Sequence, residues 1–239
     1  MRDVQVISGR LLTTVRRPTR QEIYMTDIHT VEEALTHPER FRVTIFGSAR
    51  TKENDPEYHQ VFQLAKSLGS MGINIITGGG PGIMDAANSG LKAGTDGDAK
   101  SVGLTIDLPW ENEANNHLDI NKHFHKFSNR LDHFMALSNV MVIMPGGIGT
   151  CLELFYTWQL IQVDHICKIP IILADEMWHS LYGWVKKDLL GRGMVSPPDL
   201  KNIYCTATNA QTCEIIELAY QEFKKVGDKI CLNINKYQP

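Results

Sequence analysis

Val140-Met141-Val142-Ile143-Met144-Pro145-Gly146-Gly147-Ile148-Gly149-Thr150-Cys151-Leu152-Glu153-Leu154 reads as strand, turn and helix start in unbroken succession. The apolar run before Pro145 has strand length, and the residues after Gly149 take up a helical pattern. Glycines between a strand and a helix let backbone N–H groups approach an anion closely. The helix dipole adds partial positive charge at the same place. Gly146, Gly147, Gly149 and Thr150 are therefore candidate phosphate ligands. Glu153, one turn into the helix, is a poor phosphate ligand and must serve another purpose.

Two more strand ends carry glycine. Residues 42–47 (Arg-Val-Thr-Ile-Phe-Gly) form a first strand that runs into Gly47-Ser48-Ala49-Arg50. Residues 73–77 form a second, which runs into Gly78-Gly79-Gly80-Pro81-Gly82. A helix opened by Asn54-Asp55-Pro56 and ended at Gly72 separates them, and another follows from Ile83 to about Ala93. The remaining strands are expected at 101–108, 140–144, 169–173 and 203–207. Helices are expected at 128–138, 149–163, 175–190 and 211–226. Residues 109–123 read as polar and irregular, and the tail after Gly227 as loose. Strands apolar on both faces that alternate with helices argue for an α/β fold, a Rossmann-like doubly wound parallel sheet flanked by helices. Ligands bind at the carboxyl ends of such sheets, so all three glycine loops should share one rim. Gly47, Ser48, Gly78, Gly79 and Gly80 join the candidate ligand-binding residues on that ground.

The chain has 239 residues and a net charge of −3, which gives no sign of a nucleic-acid partner. No apolar run approaches the roughly 20 residues of a membrane span. The basic residues near the N-terminus are not followed by a continuous apolar core, so a secretory leader is not expected. Cys151, Cys167, Cys205, Cys213 and Cys231 are odd in number and scattered; reduced thiols in a cytoplasmic protein are the simplest reading. The organisation read from the chain is an N-terminal extension over 1–40, one domain over 41–226 and a tail over 227–239. Within the extension, residues 30–35 resemble a short capped helix. His117, His123, His125 and His133 fit no single helix face with a third ligand, so neither a metal nor another cofactor is expected. The helix carrying Phe155, Tyr156, Trp158, Leu160 and Ile161 is apolar on more than one face. It calls for a second burial, for which a homodimer or higher oligomer is the natural partner.

At these residues the chain resembles the LOG ("lonely guy") family, Rossmann-like proteins long labelled lysine decarboxylases. Residues 145–153 meet the family pattern PGGxGTxxE in full, and residues 43–50, 77–87 and 101–109 resemble its other strand-and-loop segments. The likeness covers roughly residues 40–190. It implies cleavage of the N-glycosidic bond of nucleoside 5′-monophosphates, cytokinin nucleotides or ordinary ones, to free base and ribose 5-phosphate. It assigns the chemistry to Glu153 and to Arg130, which matches the Arg of the family pattern RKxxM. It also makes Asn116 a candidate for a bond to a ribose hydroxyl or a base edge. The sequence departs from the pattern at Leu131 (family Lys), Phe134 (family Met) and Leu152 (commonly acidic).

The implied chemistry is sound from below. N-glycoside hydrolysis builds positive charge on the sugar, which a carboxylate beneath the ribose stabilises while it orients a water. Arg130 has three open roles: binding phosphate, holding Glu153 ionised, or stabilising the departing base. A non-catalytic nucleotide or nucleotide-like cofactor carrier is the alternative, and Leu131 and Leu152 are the features that favour it. An amino-acid decarboxylase is disfavoured, because no lysine lies in the glycine loops.

Overall fold

The computed structural model describes residues 40–107, 114–226, 231 and 233–237. Seven strands form one parallel sheet, in the order β4-β3-β2-β1-β5-β6-β7. They are β1 (Arg42–Phe46), β2 (Asn74–Thr77), β3 (Ser101–Ile106), β4 (Ile120–Phe124), β5 (Val140–Ile143), β6 (Ile171–Ala174) and β7 (Ile203–Thr206). The helices are α1 (Pro56–Ser70), α2 (Ile83–Gly94), α3 (Phe127–Leu137), α4 (Ile148–Gln162), α5 (Met177–Trp184), α6 (Asn209–Val226) and α7 (Asn233–Lys236).

The alternation of side chains along each strand builds a core on both faces. Val43 and Ile45 of β1 and Val140 and Val142 of β5 join one cluster with Leu64, Leu91 and Ile216 from α1, α2 and α6. Phe46, Met141 and Ile143 point into the other, with Phe134, Leu154 and Trp178 from α3, α4 and α5. Such burial on two faces is what reads as a continuous apolar run in the sequence. β1 pairs with both β2 and β5. The chain therefore winds outward from β1 in one direction and from β5 in the other. A crevice opens where the order reverses, at the carboxyl ends of the strands.

Four expectations are corrected. Residues 109–123 are not wholly irregular, since β4 occupies 120–124 and pairs with β3. Its Asn121, Lys122 and His123 hide the strand because an edge strand is only half covered. The expected helix over 175–190 divides into α5 and a π-helical stretch, Val185–Leu190. Cys167 and Cys231 form a disulfide rather than staying reduced, while Cys151, Cys205 and Cys213 are free thiols. The tail is not loose over its described part. Asn233 is buried, accepts from the Cys167 N–H (2.6 Å) and donates to the Ser138 carbonyl (3.1 Å). Tyr237 donates to Asp132 of α3 (2.5 Å), and so does Tyr156 of α4 (2.6 Å). The tail thus docks behind the two helices that carry Arg130 and Glu153. The helix expected over 30–35 lies outside the described residues. Among the described residues, no helix is long and apolar enough to cross a membrane.

Candidate functional site

A cavity of about 680 Å³ lies at the carboxyl ends of the strands. Gly47 and Ser48 after β1, Gly78, Gly79 and Gly80 after β2, and Gly147, Gly149 and Thr150 at the start of α4 all line it, together with Arg130 and Glu153. The three loops are tied to one another through the backbone. Ser48 N–H donates to the Pro145 carbonyl (2.9 Å), and Ile83 N–H donates to the Ser48 carbonyl (3.0 Å). A short polar network braces the second loop. The Thr77 hydroxyl donates to Asn88 (2.8 Å) and accepts from the Gly79 N–H (2.9 Å). Asn115 donates to Asn88 (2.9 Å) and to the Gly80 carbonyl (3.0 Å).

The glycines divide into two kinds. At Gly78 a Cβ would sit 2.3 Å from the Arg130 guanidinium, and at Gly146 it would sit 2.2 Å from the Thr150 hydroxyl. Gly79 has φ +75°. Packing demands Gly146 and backbone conformation demands Gly79, whereas a Cβ at Gly78 would displace the ends of the Arg130 and Met84 side chains. At Gly147 and Gly149 a Cβ would meet no protein atom within 4 Å. Gly147 also has an ordinary negative φ, so neither packing nor backbone conformation requires glycine at these two positions. α4 begins at this point with no side-chain cap. Its first amides, which have no partner inside the helix, are available to an anion.

Arg130 is held by backbone carbonyls. Its Nε donates to Leu104 (2.6 Å) and one terminal nitrogen to Gly78 (3.5 Å), and the guanidinium lies 5.3 Å from the Phe134 ring centre. Phe134, where the family pattern has Met, therefore supplies an aromatic face to the cation. Glu153 keeps partial exposure toward the cavity, yet the surrounding protein strips most of its hydration. Burial raises its carboxyl from the ordinary 4.5 to about 7, against the opposing pull of the Arg130 charge. Leu131 is buried at 8% exposure, so an apolar contact stands where the family pattern has a cation.

Not every candidate converges. Gly146 packs behind Thr150 and is not among the lining residues, and Asn116 is exposed and outside the cavity wall. Its neighbour Asn115 is the asparagine that braces the loop. Asn88 is a polar residue on the apolar face of α2, and that mismatch was its signal in the sequence. Among the histidines, His123 lines the cavity. His133 instead donates from Nδ1 to the Asn129 carbonyl (2.7 Å) and accepts from Lys122 (2.9 Å). Burial holds it below its ordinary value. Leu154, Trp158 and Ile161 of α4 face the core, whereas Ile148 (87%), Leu152 (47%) and Phe155 (39%) form an exposed stripe with spacing of four and three.

Comparison with known proteins follows the same lines. The model of a family described as "Possible lysine decarboxylase" matches residues 84–216. The pyrimidine/purine nucleotide 5′-monophosphate nucleosidase of Escherichia coli strain K12 is 29% identical over 194 residues, which cover 73% of this chain and 41% of that protein. The chain thus spans less than half the length of the curated relatives it matches. The molybdenum cofactor binding protein of Rippkaea orientalis superposes with a TM-score of 0.55 at 18% identity, covering 76% of this chain and 98% of that one. The molybdenum cofactor carrier protein of Chlamydomonas reinhardtii superposes with a TM-score of 0.55 at 21% identity, covering 76% and 99%. Both share the fold.

Proposed function

The chain belongs to the "Possible lysine decarboxylase" family, the LOG-like Rossmann proteins, and from that premise we propose that it is a nucleoside 5′-monophosphate phosphoribohydrolase. The observation that carries the reading is Glu153: a carboxyl raised to about 7, next to a fixed guanidinium, in a cavity rimmed by three glycine loops. A surface glutamate that merely complements a helix dipole has no such environment.

In this reading the amides of Gly147, Gly149 and Thr150 hold the 5′-phosphate at the α4 N-terminus. Glu153 in its carboxylate form lies beneath the ribose, stabilises the positive charge that develops there, and orients the attacking water. Arg130 draws Glu153 toward its ionised form against the cost of burial, leaving it to ionise at about pH 7. The bond between C1′ and the base nitrogen breaks. Water supplies the new hydroxyl of ribose 5-phosphate, and its proton balances the departing base. The relative's printed activity supports this choice of substrate class. The test is release of free base from a nucleotide panel, with Glu153→Gln as the inactive control.

Leu131 favours a second reading, a nucleotide carrier on the same scaffold, because a buried leucine follows Arg130 where the family pattern has a lysine. A tightly held ligand recovered intact distinguishes it. For assembly we propose a homodimer that covers the Ile148, Leu152 and Phe155 stripe; a monomer by sedimentation velocity at micromolar concentration refutes this.

A further inference from the structure

We propose that Asp107, His123 and His125 form a binding site for a divalent transition metal such as Zn²⁺ on the β3–β4 side of the cavity. The placement follows from strand geometry. His123 and His125 are two residues apart at the end of β4, so both side chains stand on one face. β3 and β4 run parallel with Thr105 opposite His123 and Ile106 opposite Phe124. One step further along that register, Asp107 comes beside His125. His123 Nε2 lies 2.9 Å and His125 Nδ1 3.1 Å from the two oxygens of the Asp107 carboxylate. One ligand atom from each residue falls within 4.8 Å of the others. A tetrahedral zinc ion with bonds near 2.0–2.1 Å holds its ligands about 3.3 Å apart, which small side-chain rotations achieve here.

The hydrogen bonds around His123 prepare its ring as a ligand. The Thr105 hydroxyl donates its single proton to Asn121 Oδ1 (2.9 Å). With that proton directed to Asn121 or to the Lys122 carbonyl (3.4 Å), the same oxygen accepts at 3.2 Å from His123 Nδ1 in the tautomer that carries its proton there. In that tautomer the Nε2 lone pair faces a carboxylate oxygen at 2.9 Å, a separation that a second ring proton bridges in the metal-free protein and a metal ion bridges when bound. One divalent cation satisfies both imidazoles and the carboxylate together. A fixed ring tautomer with a hydroxyl behind it is how protein metal ligands are oriented. Two imidazoles and one carboxylate suit zinc, cobalt or nickel, not magnesium or calcium, which take oxygen donors.

Three protein ligands leave a coordination position open. Asp107, His123 and Thr105 all line the cavity, so that position faces it. β3 and β5 lie three strands apart in the sheet, about 14 Å at the usual spacing. The metal therefore addresses the end of a bound ligand remote from the anion-binding start of α4. Metal binding is independent of the proposed hydrolysis and is measured without substrate.

The experiment titrates the EDTA-stripped 239-residue chain with zinc chloride by calorimetry and records the visible spectrum after cobalt substitution. Wild type takes up one ion at this site. Asp107→Ala and His123→Ala lose that uptake, and His117→Ala, outside the cluster, keeps it. Thr105→Val retains the stoichiometry with about 10–100-fold weaker affinity. Asp107 and His125 are exposed, so Asp107→Ala tests the site without threatening the fold; circular dichroism of each metal-free variant checks this. No uptake by wild type, or undiminished uptake by Asp107→Ala and His123→Ala, overturns the proposal. Wild-type affinity in Thr105→Val overturns the orienting role of the threonine.

Discussion

Replacing Glu153 with glutamine should stabilise the ligand-free protein at alkaline pH while removing its activity. The carboxyl goes from an ordinary 4.5 in the unfolded chain to about 7 in the fold. At 1.36 kcal/mol for each tenfold change in proton affinity, that is about 3 kcal/mol. Partial contact with water in the cavity reduces it to about 2 kcal/mol. The sign follows from proton uptake. Between about pH 4.5 and 7 the folded state holds a proton that the unfolded chain has released, so stability falls as pH rises through this window and levels off above it. Glutamine has nearly the same shape and does not titrate. Glu153→Gln should therefore match wild type near pH 4.5 and exceed it by about 2 kcal/mol at pH 8. For a domain of this size that raises the melting temperature by about 4–8 °C. Differential scanning calorimetry from pH 4.5 to 8.5 measures it. A variant no more stable than wild type at pH 8, or one whose advantage does not change with pH, refutes the assignment of a desolvated carboxyl. A residue that costs the empty fold stability is what a site held ready for a ligand predicts.

The glycines give a sharper contrast. Gly147→Ala should leave the melting temperature within about 1 °C of wild type, because its Cβ meets open space, but weaken inorganic phosphate binding in calorimetry. Gly146→Ala should lower stability by about 1–3 kcal/mol in urea titration, because its Cβ would lie 2.6 Å from the Thr150 Cβ. If both behave alike, the division between packing and ligand glycines is wrong. The rate kcat/KM should rise with pH through about 7 as Glu153 ionises; a rate that falls through this range makes Glu153 a proton donor instead. Cys231→Ser should cost about 2–4 kcal/mol in the oxidised protein and nothing under reducing conditions, by denaturant titration in each.

The three glycine loops were legible because backbone demands leave a mark in composition: a strand of β-branched residues, then glycines, then a helix. Their shared rim followed from the rule for open parallel sheets, and the strand order bears it out. What escaped notice depends on pairings that a linear reading does not contain. β4 looked irregular because Asn121, Lys122 and His123 face a half-covered edge, and only its pairing with β3 reveals a strand. The histidines match no helix face because two of them sit at strand spacing, beside an aspartate that follows the neighbouring strand. Cys231 is remote in sequence from Cys167 and lies in a stretch with no strong pattern, so nothing local marked the pair. Asn115 rather than Asn116 turns inward, a difference of one residue that loop periodicity does not decide.

The most direct test of the central claim is to incubate the purified protein with AMP, GMP, CMP, UMP and isopentenyladenosine monophosphate. Free base and ribose 5-phosphate are quantified by chromatography alongside Glu153→Gln. The account predicts equimolar base and ribose 5-phosphate from at least one nucleotide with wild type. Glu153→Gln should yield neither while still binding that nucleotide. Recovery of every nucleotide intact from well-folded wild-type protein, or undiminished turnover by Glu153→Gln, would contradict it.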